Sequence, residues 1–418
     1  MPEVTDDTPV HLSEVDIDLD VQEILLAASQ HDQSKLRRLL RTQSMLPDAA
    51  NVKDTETGFS PLHAAIAACE PDTETVNTNG ATTSDSNPNV LDAETVKAAV
   101  ETVKFLLQEG AIWNDLDANN ETPGCIARRI GALDLYELIV DAGVRAELLL
   151  NRLDAYEELS GGDDEEEEGE TEGETAPELV DASAETTAET TTTTNPANPE
   201  VSNSQYLESR LNIQNDRILD ADQNGVMMRW ESDIMRKSAA ALLPTPGLKV
   251  LNIGHGMGIV DGFFQEQGPA VHHIVEAHEE VVEEMKRRGW DTKPGVVIHQ
   301  GRWQDILPGL VAAGETFDAI YYDTFAESYS DFRDFFSEQV IGLLEQEGRW
   351  GFFNGMGADR QISYDVYQKV AEMDLFEAGF DVQWEEIAVP KLEGEWEGVR
   401  RAYWVVDDYR LPLCKFMD

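Results

Sequence analysis

The chain has 418 residues, 82 of them acidic and 31 basic, for a net charge of -51. So acidic a chain is repelled by nucleic-acid phosphate and by anionic membrane, which argues against direct binding to either and for a basic, arginine-bearing protein as partner. Its length allows two domains, each with its own core. Cys69, Cys125 and Cys414 are scattered and form no Cys-x-x-Cys pair, as suits free thiols in a reducing compartment. Residues 1–20 are acidic and lack the apolar core of a signal peptide, and no run approaches the roughly 18 apolar residues that span a bilayer. A soluble, monomeric, intracellular protein is expected, cytoplasmic and open to the nucleus.

In chain order the first elements are helical. Residues 24–40 carry Leu25, Leu26, Ala27 and Ala28, then Leu36, Leu39 and Leu40, the apolar content of a divergent first helical unit. Gly58-Phe59-Ser60-Pro61-Leu62-His63-Ala64-Ala65 is similar to the opening of an ankyrin repeat, Thr-Pro-Leu-His-x-Ala. Residues 71–89 are rich in Thr, Asn, Ser and Asp and read as a polar surface insertion. Residues 103–111 resemble the second helix of that repeat with its glycine stop; Asn120-Glu121-Thr122-Pro123 opens another unit, which residues 138–143 close at Gly143. An all-α, ankyrin-like module over residues 1–159 is the expectation, with His63 a hydrogen-bonding residue at a helix start. It shows no catalytic group, and either binds protein or packs on its neighbour.

Residues 160–200 are a linker by composition. Gly161-Gly162 leads into an acidic run at 163–168, then into threonines 191–194 and Asn195-Pro196. There is almost nothing to bury, and like charges extend such a chain. Residues 201–418 then alternate strand and helix patterns. A short apolar strand, Lys249–Ile253, runs into Gly254-His255-Gly256-Met257-Gly258, and a helix should begin near Ile259. A strand ending in Glu276 follows, then a helix over 279–288, a strand over 296–299, an apolar strand ending at Asp323, a helix over 332–345 and a strand over 348–354. This alternation implies an α/β domain with a doubly wound, Rossmann-like parallel sheet. Ligands sit at the carboxyl ends of such strands, where Gly254, Glu276, Asp323 and Asn354 fall.

The glycine turn lets backbone approach a nucleotide-type cofactor. Its spacing is Gly-x-Gly-x-Gly, not the dinucleotide Gly-x-Gly-x-x-Gly, and no Gly-Lys-Ser/Thr follows, so S-adenosylmethionine fits better than NAD or ATP. Glu276, about 20 residues on, stands where an acid accepts hydrogen bonds from a ribose diol. Asp323 would face the same pocket, and Glu231, in Val226-Met227-Met228-Arg229-Trp230-Glu231, offers a second acid. Two converging carboxylates suit a guanidinium, whose paired N–H donors match them, and would draw off its proton as its nitrogen attacks. The competing readings are that Asp323 only caps a helix and that Glu231 is a solvated helix residue. His255, His272, His273 and His278 lack metal-ligand spacing, so no metal is expected; His272 and His273 read as surface or edge residues. Gly-x-Ser-x-Gly is absent, which removes the simplest nucleophilic hydrolase.

Together these segments, with Gly301-Arg302-Trp303-Gln304-Asp305 and Glu377-Ala378-Gly379-Phe380, resemble guanidinoacetate N-methyltransferase and, more closely, its fungal relatives, the type IV protein arginine N-methyltransferases that methylate N5 of arginine. Helical repeats ahead of the domain belong to the fungal arrangement. The resemblance implies that Tyr206, Met227 and Met235 close over S-adenosylmethionine, that the backbone of His255, Gly256, Met257, Gly258, Ile259 and Val260 cradles its methionine part, that Glu276, Ala277 and His278 hold the ribose, and that Trp303 and Gln304 frame the adenine. It implies that Glu231 and Asp323 grip the guanidino group, with Asp323 near the reacting methyl. It further implies N5-methylarginine and S-adenosylhomocysteine as products and a large-subunit ribosomal protein as substrate. The chain departs from the small-molecule enzyme in having Asn252 for an acid and His255 for an aromatic residue. A methyltransferase for free guanidino compounds and a non-catalytic adaptor are the alternatives.

Overall fold

A computed structural model describes residues 14–43, 46, 48–70, 93–160 and 201–417. The polar insertion at 71–89 and residues 161–200 of the acidic linker lie outside the described residues. The chain divides into two compact units, residues 1–146 with 357–370, and residues 147–356 with 371–418.

The first unit is helical: α1 (Glu14–Ser29), α2 (Gln33–Arg38), α3 (Pro61–Ala67), α4 (Ala93–Gln108), α5 (Pro123–Arg129) and the leading part of α6 (Leu133–Ser160). The helix starts are written in local chemistry. Ser60 and Thr122 accept from the backbone N–H groups of His63 and Cys125, each with proline at the next position. His63 is buried and its ring bridges two elements: Nδ1 accepts from the Ser60 N–H, and the Nε2 proton goes to the Glu121 carbonyl at 3.2 Å. Gly143 does not end its helix, contrary to expectation, since α6 runs on through it. A Cβ there would lie 2.8 Å from Val366 and 3.0 Å from the Trp113 ring, so the small residue serves close packing.

The second unit opens with α7 (Asn203–Glu208) and a three-stranded antiparallel sheet of β1 (Asn212–Ile213), β2 (Arg217–Leu219) and β3 (Gly225–Met228). There follow α8 (Ser232–Leu242), β4 (Lys249–Ile253), α9 (Ile259–Glu266), β5 (Val271–Glu276), α10 (Glu279–Arg287), β6 (Val296–Gln300), α11 (Trp303–Ala312) and β7 (Phe317–Tyr322). Then come α12 (Tyr329–Asp334), α13 (Ile341–Leu343), β8 (Leu344–Phe352), α14 (Gln361–Glu377, whose start belongs to the first unit), β9 (Phe380–Ala388) and β10 (Asp408–Phe416). The large sheet has the order β6-β5-β4-β7-β8-β10-β9, parallel from β6 to β8 with β10 antiparallel to both its neighbours. It is a Rossmann-like, mostly parallel sheet. The order reverses between β4 and β7, which opens a crevice at their carboxyl ends.

β4 and β7 are buried almost throughout, as central parallel strands must be. Beside β7 and β8 an aromatic core forms, with Phe332 4.6 Å from Phe352 and Tyr322 4.3 Å from Phe335 between ring centroids. The single helix expected over 332–345 is instead α12, a π-helical turn (Phe335–Val340) and α13, with β8 already begun at Leu344. Pairing of Leu344 with Phe317 and burial of Leu343 and Leu344 outweigh the helix propensity of that run. His272 and His273 lie inside β5, not at a surface or edge. His272 is fully buried on Asp261, and His273 packs on His299 with ring centroids 5.0 Å apart. Burial first, then His299, lowers the pKa of His273 to about 4, so it is accommodated as a neutral ring.

Gly143→Ala tests the packing explanation, because helix propensity alone would make it stabilising by about 1 kcal/mol. Overpacking against Val366 and Trp113 is expected to reverse that sign and lower stability by about 1 kcal/mol, read by thermal or urea denaturation.

Candidate active site

The crevice is built by the turn after β4. The Gly254 N–H donates to the Val275 carbonyl at 2.8 Å, and the Asp323 N–H donates to that of Ile253 at 2.9 Å, so the three strand ends are laced together. Gly254 has φ +91°, and a Cβ would lie 1.9 Å from the Asp323 carbonyl oxygen. Only glycine allows β4 and β7 to end this close. Glu276, at the end of β5, gathers the turn: Oε2 accepts from the backbone N–H groups of His255 at 2.8 Å and Gly256 at 3.3 Å, and Oε1 from that of His278 at 2.7 Å.

Two neighbouring hollows share Asp323 in their walls. The first, with an open volume of about 570 Å³, is lined by Tyr206, Met227, Gly256, Glu276, Ala277, Trp303 and Asp323 from among the residues singled out in the sequence. The others stand around it. His278 packs its ring 5.0 Å from that of Tyr206. Met257 donates its N–H to the Met227 sulfur, while Ile259 and Val260 pack into the core at the start of α9. Gly258, at φ +75°, leaves room for the His255 ring, which a Cβ would meet at 2.7 Å. Met235 is fully buried in the core beneath and does not line the hollow. Gln304, in the first turn of α11, has both amide atoms buried without partners. Asn354 turns away, its amide donating to the Arg410 carbonyl.

The second hollow, about 820 Å³, is lined by Glu231, Asp323, Glu327 and Tyr403 among the walls of Val226, Phe332, Phe352, Phe353 and Met356. Glu231 is buried, not solvated, and accepts a short hydrogen bond from the Tyr403 hydroxyl. The ring of Tyr403 packs 4.9 Å from Trp396 and 6.1 Å from Trp230. Asp323 caps no helix, because α12 is capped by Ser328. One of its oxygens, Oδ2, is buried with no partner. Glu327 accepts from the Trp303 indole N–H at 3.0 Å, from the Thr324 hydroxyl at 2.8 Å and from the Tyr322 hydroxyl.

No lysine or arginine nitrogen lies within 4.0 Å of these acids among the described residues, and the carboxyls respond. Burial, then the charges of Asp261 and Glu276, raises Asp323 to about 7. Burial and the neighbouring Asp323 push Glu231 well above the carboxylate range, against the pull of Tyr403. Glu327 is raised by burial and restrained by its three donors. A carboxyl poised near neutrality beside a second one is a proton acceptor in waiting. The sequence did not disclose Tyr403 or Glu327. Tyr403 lies 172 residues beyond Glu231 in an irregular segment, and Glu327 lacks the strand-end position that marked Asp323.

The raised pKa has a stability consequence with a definite sign. Between about pH 4 and pH 7 the folded chain holds a proton on Asp323 that the unfolded chain has lost, so this group's contribution falls as pH rises through that window. Asp323→Asn is expected to raise the thermal midpoint of the cofactor-free protein by a few degrees at about pH 8, with the gain vanishing near pH 4. A calorimetric pH series checks it.

The sequence profile of guanidinoacetate N-methyltransferase matches residues 202–393. Over 413 residues the chain is 69% identical to protein arginine N-methyltransferase 2 of Aspergillus fumigatus, covering 96% of this chain and 97% of that one. The like-named protein of Emericella nidulans is 68% identical, covering 97% and 99%, and that of Yarrowia lipolytica 39% identical, covering 79% and 82%. With glycine cradle and paired acids in one crevice, and relatives matched along nearly their whole length, the chain belongs to the fungal protein arginine N-methyltransferase 2 family, methyltransferases that use S-adenosylmethionine.

Proposed function

We propose that this chain is a type IV protein arginine methyltransferase: it methylates the internal, δ nitrogen of an arginine in a basic protein, a large-subunit ribosomal protein, to give N5-methylarginine. The observation that carries this reading is the second hollow. Its acids are Glu231, Asp323 and Glu327, and among the described residues no lysine or arginine lines it. A protein-borne arginine brings a cation and an apolar stem, which match the acids and the Phe and Met walls. Guanidinoacetate, the alternative favoured by the family profile, brings a carboxylate for which the hollow holds no cationic partner. The helical first unit, read as ankyrin-like, supports a protein substrate too, since a small molecule has no need of a docking module. On this reading the enzyme acts as a monomer on newly made basic protein in the cytoplasm or nucleus.

The first hollow fits the cofactor by its own chemistry. Gly254 and Gly256 line it with bare backbone, Glu276 offers carboxylate oxygens to a diol, and the unpartnered Gln304 amide, next in the chain to Trp303, offers a donor and an acceptor. Bound there, S-adenosylmethionine supplies an electrophilic methyl group on a sulfonium. The protein's part is alignment and charge. Tyr206 and Met227 close the hollow. Glu231 and Asp323 grip the guanidinium and fix its plane, Glu231 on the terminal nitrogens and Asp323 on the edge that carries the internal N–H, near the reacting methyl. Asp323, ionised, accepts the proton released as that nitrogen is alkylated, and Tyr403 steadies Glu231.

Purified protein incubated with labelled S-adenosylmethionine and hypomethylated fungal ribosomal protein should yield N5-methylarginine on hydrolysis and mass spectrometry. Label confined to free guanidino compounds would transfer the reading to the small-molecule enzyme; none anywhere would favour the adaptor. Glu231→Gln is expected to lower kcat by about 10²-fold or more while leaving S-adenosylhomocysteine affinity unchanged, because Glu231 does not line the first hollow.

A further inference from the structure

The reaction as proposed has no use for Asp261, yet this carboxylate is fully buried and is held by three side-chain N–H donors. Oδ2 receives the His255 Nδ1–H at 2.6 Å; Oδ1 receives the Asn252 amide at 2.8 Å and the His272 Nε2–H at 2.9 Å. The Gln265 amide satisfies the far side of His272 at 2.9 Å. Burial alone would raise this carboxyl, but His255 and His272 hold it at about 2, so it stays ionised throughout the working range. Two of the three donors, Asn252 and His255, flank Gly254 at the end of β4. Asn252 also donates to the Gly254 carbonyl at 2.8 Å, the first residue of the turn. His255 is tied twice: its ring to Asp261, its backbone N–H to the Glu276 carboxylate. Its ring stands edge-on to Trp290 at 5.0 Å and fills the space that Gly258 leaves.

We propose that Asp261 is a positioning residue for cofactor binding: by gripping the His255 imidazole and the Asn252 amide, it fixes the backbone N–H of His255 and hence the place of the Glu276 carboxylate. The inference rests on Glu276 as the ribose acceptor. Asp261 itself lines neither hollow. Its effect is transmitted through one residue whose main chain and side chain are bonded to different acids, so displacement of the ring rotates the turn under Glu276.

The test measures S-adenosylhomocysteine binding by calorimetry, which needs no arginine substrate and so does not depend on which nitrogen is methylated. Asp261→Asn keeps the volume and removes the charge; His255→Phe keeps the packing on Trp290 and removes the bond to Asp261. Each should weaken binding about tenfold, and His255→Phe decides alone should Asp261→Asn not fold. In a double-mutant cycle with Glu276→Gln, either change should add little to the loss from Glu276→Gln alone, because all act at one carboxylate. Affinity within about twofold of the unsubstituted protein, or losses that simply add to that of Glu276→Gln, would overturn the proposal. Failure of the unsubstituted protein to bind S-adenosylhomocysteine would instead sink the cofactor assignment.

Discussion

Two carboxylates shut into one hollow without a cation beside them set the terms for everything around the site. An unpaired buried charge is among the costliest things a fold can hold, and it is usually relieved by protonation. Asp323 and Glu231 show that relief in their raised proton affinities. The two acids also oppose each other, so the arrangement survives only because the frame leaves them nowhere else to go. Asp323 is pinned where β7 joins β4 and Gly254 admits its carbonyl; Glu231 is pinned between β3 and α8 under Tyr403. A guanidinium entering that hollow replaces protons and mutual repulsion with paired, charge-assisted hydrogen bonds. The site is therefore least comfortable when empty of cations, and the binding of its substrate carries the gain.

The same side chain in two surroundings does two jobs. Asp261, in the first turn of α9, and Asp323, just after β7, are both buried, yet one is held at about 2 and the other raised to about 7. Asp261 has three N–H donors and remains a fixed negative charge; Asp323 has an unpartnered oxygen and remains titratable. They are coupled as well, because the charge of Asp261 is part of what raises Asp323. Divergent environments of this kind are how one fold assigns separate roles to like groups.

The parallel core was legible because β4 and β7, buried almost throughout, read as mostly apolar runs ending at a glycine turn and at an acid. Glu276, Asp323 and the glycines therefore announced themselves by position. What escaped was decided by partners far away in sequence. His272 and His273 looked like edge residues because histidine is polar, but Asp261 and His299 make them tolerable inside β5. Gly143 looked like a helix stop; its meaning lies in Trp113 and Val366. Met235 lies one turn beyond Glu231 in the chain but packs into the core. Tyr403 and Glu327 reach the hollow from irregular segments, where no period marks an inward side chain.

Charge also decides what the second hollow rejects. Specificity between a protein-borne arginine and a small guanidino acid need not come from extra contacts to the larger substrate, because a free carboxylate must itself be desolvated on entry. The hollow meets such a group with Glu231, Asp323 and Glu327 and with aromatic walls, and offers it no lysine or arginine in return. An arginine within a polypeptide has no carboxylate of its own and leaves its backbone amides at the mouth, so it escapes that cost. On the proposed reading, the acids that hold the guanidinium also exclude its anionic relatives, and the net charge of -51 extends the same preference outward to a basic substrate protein.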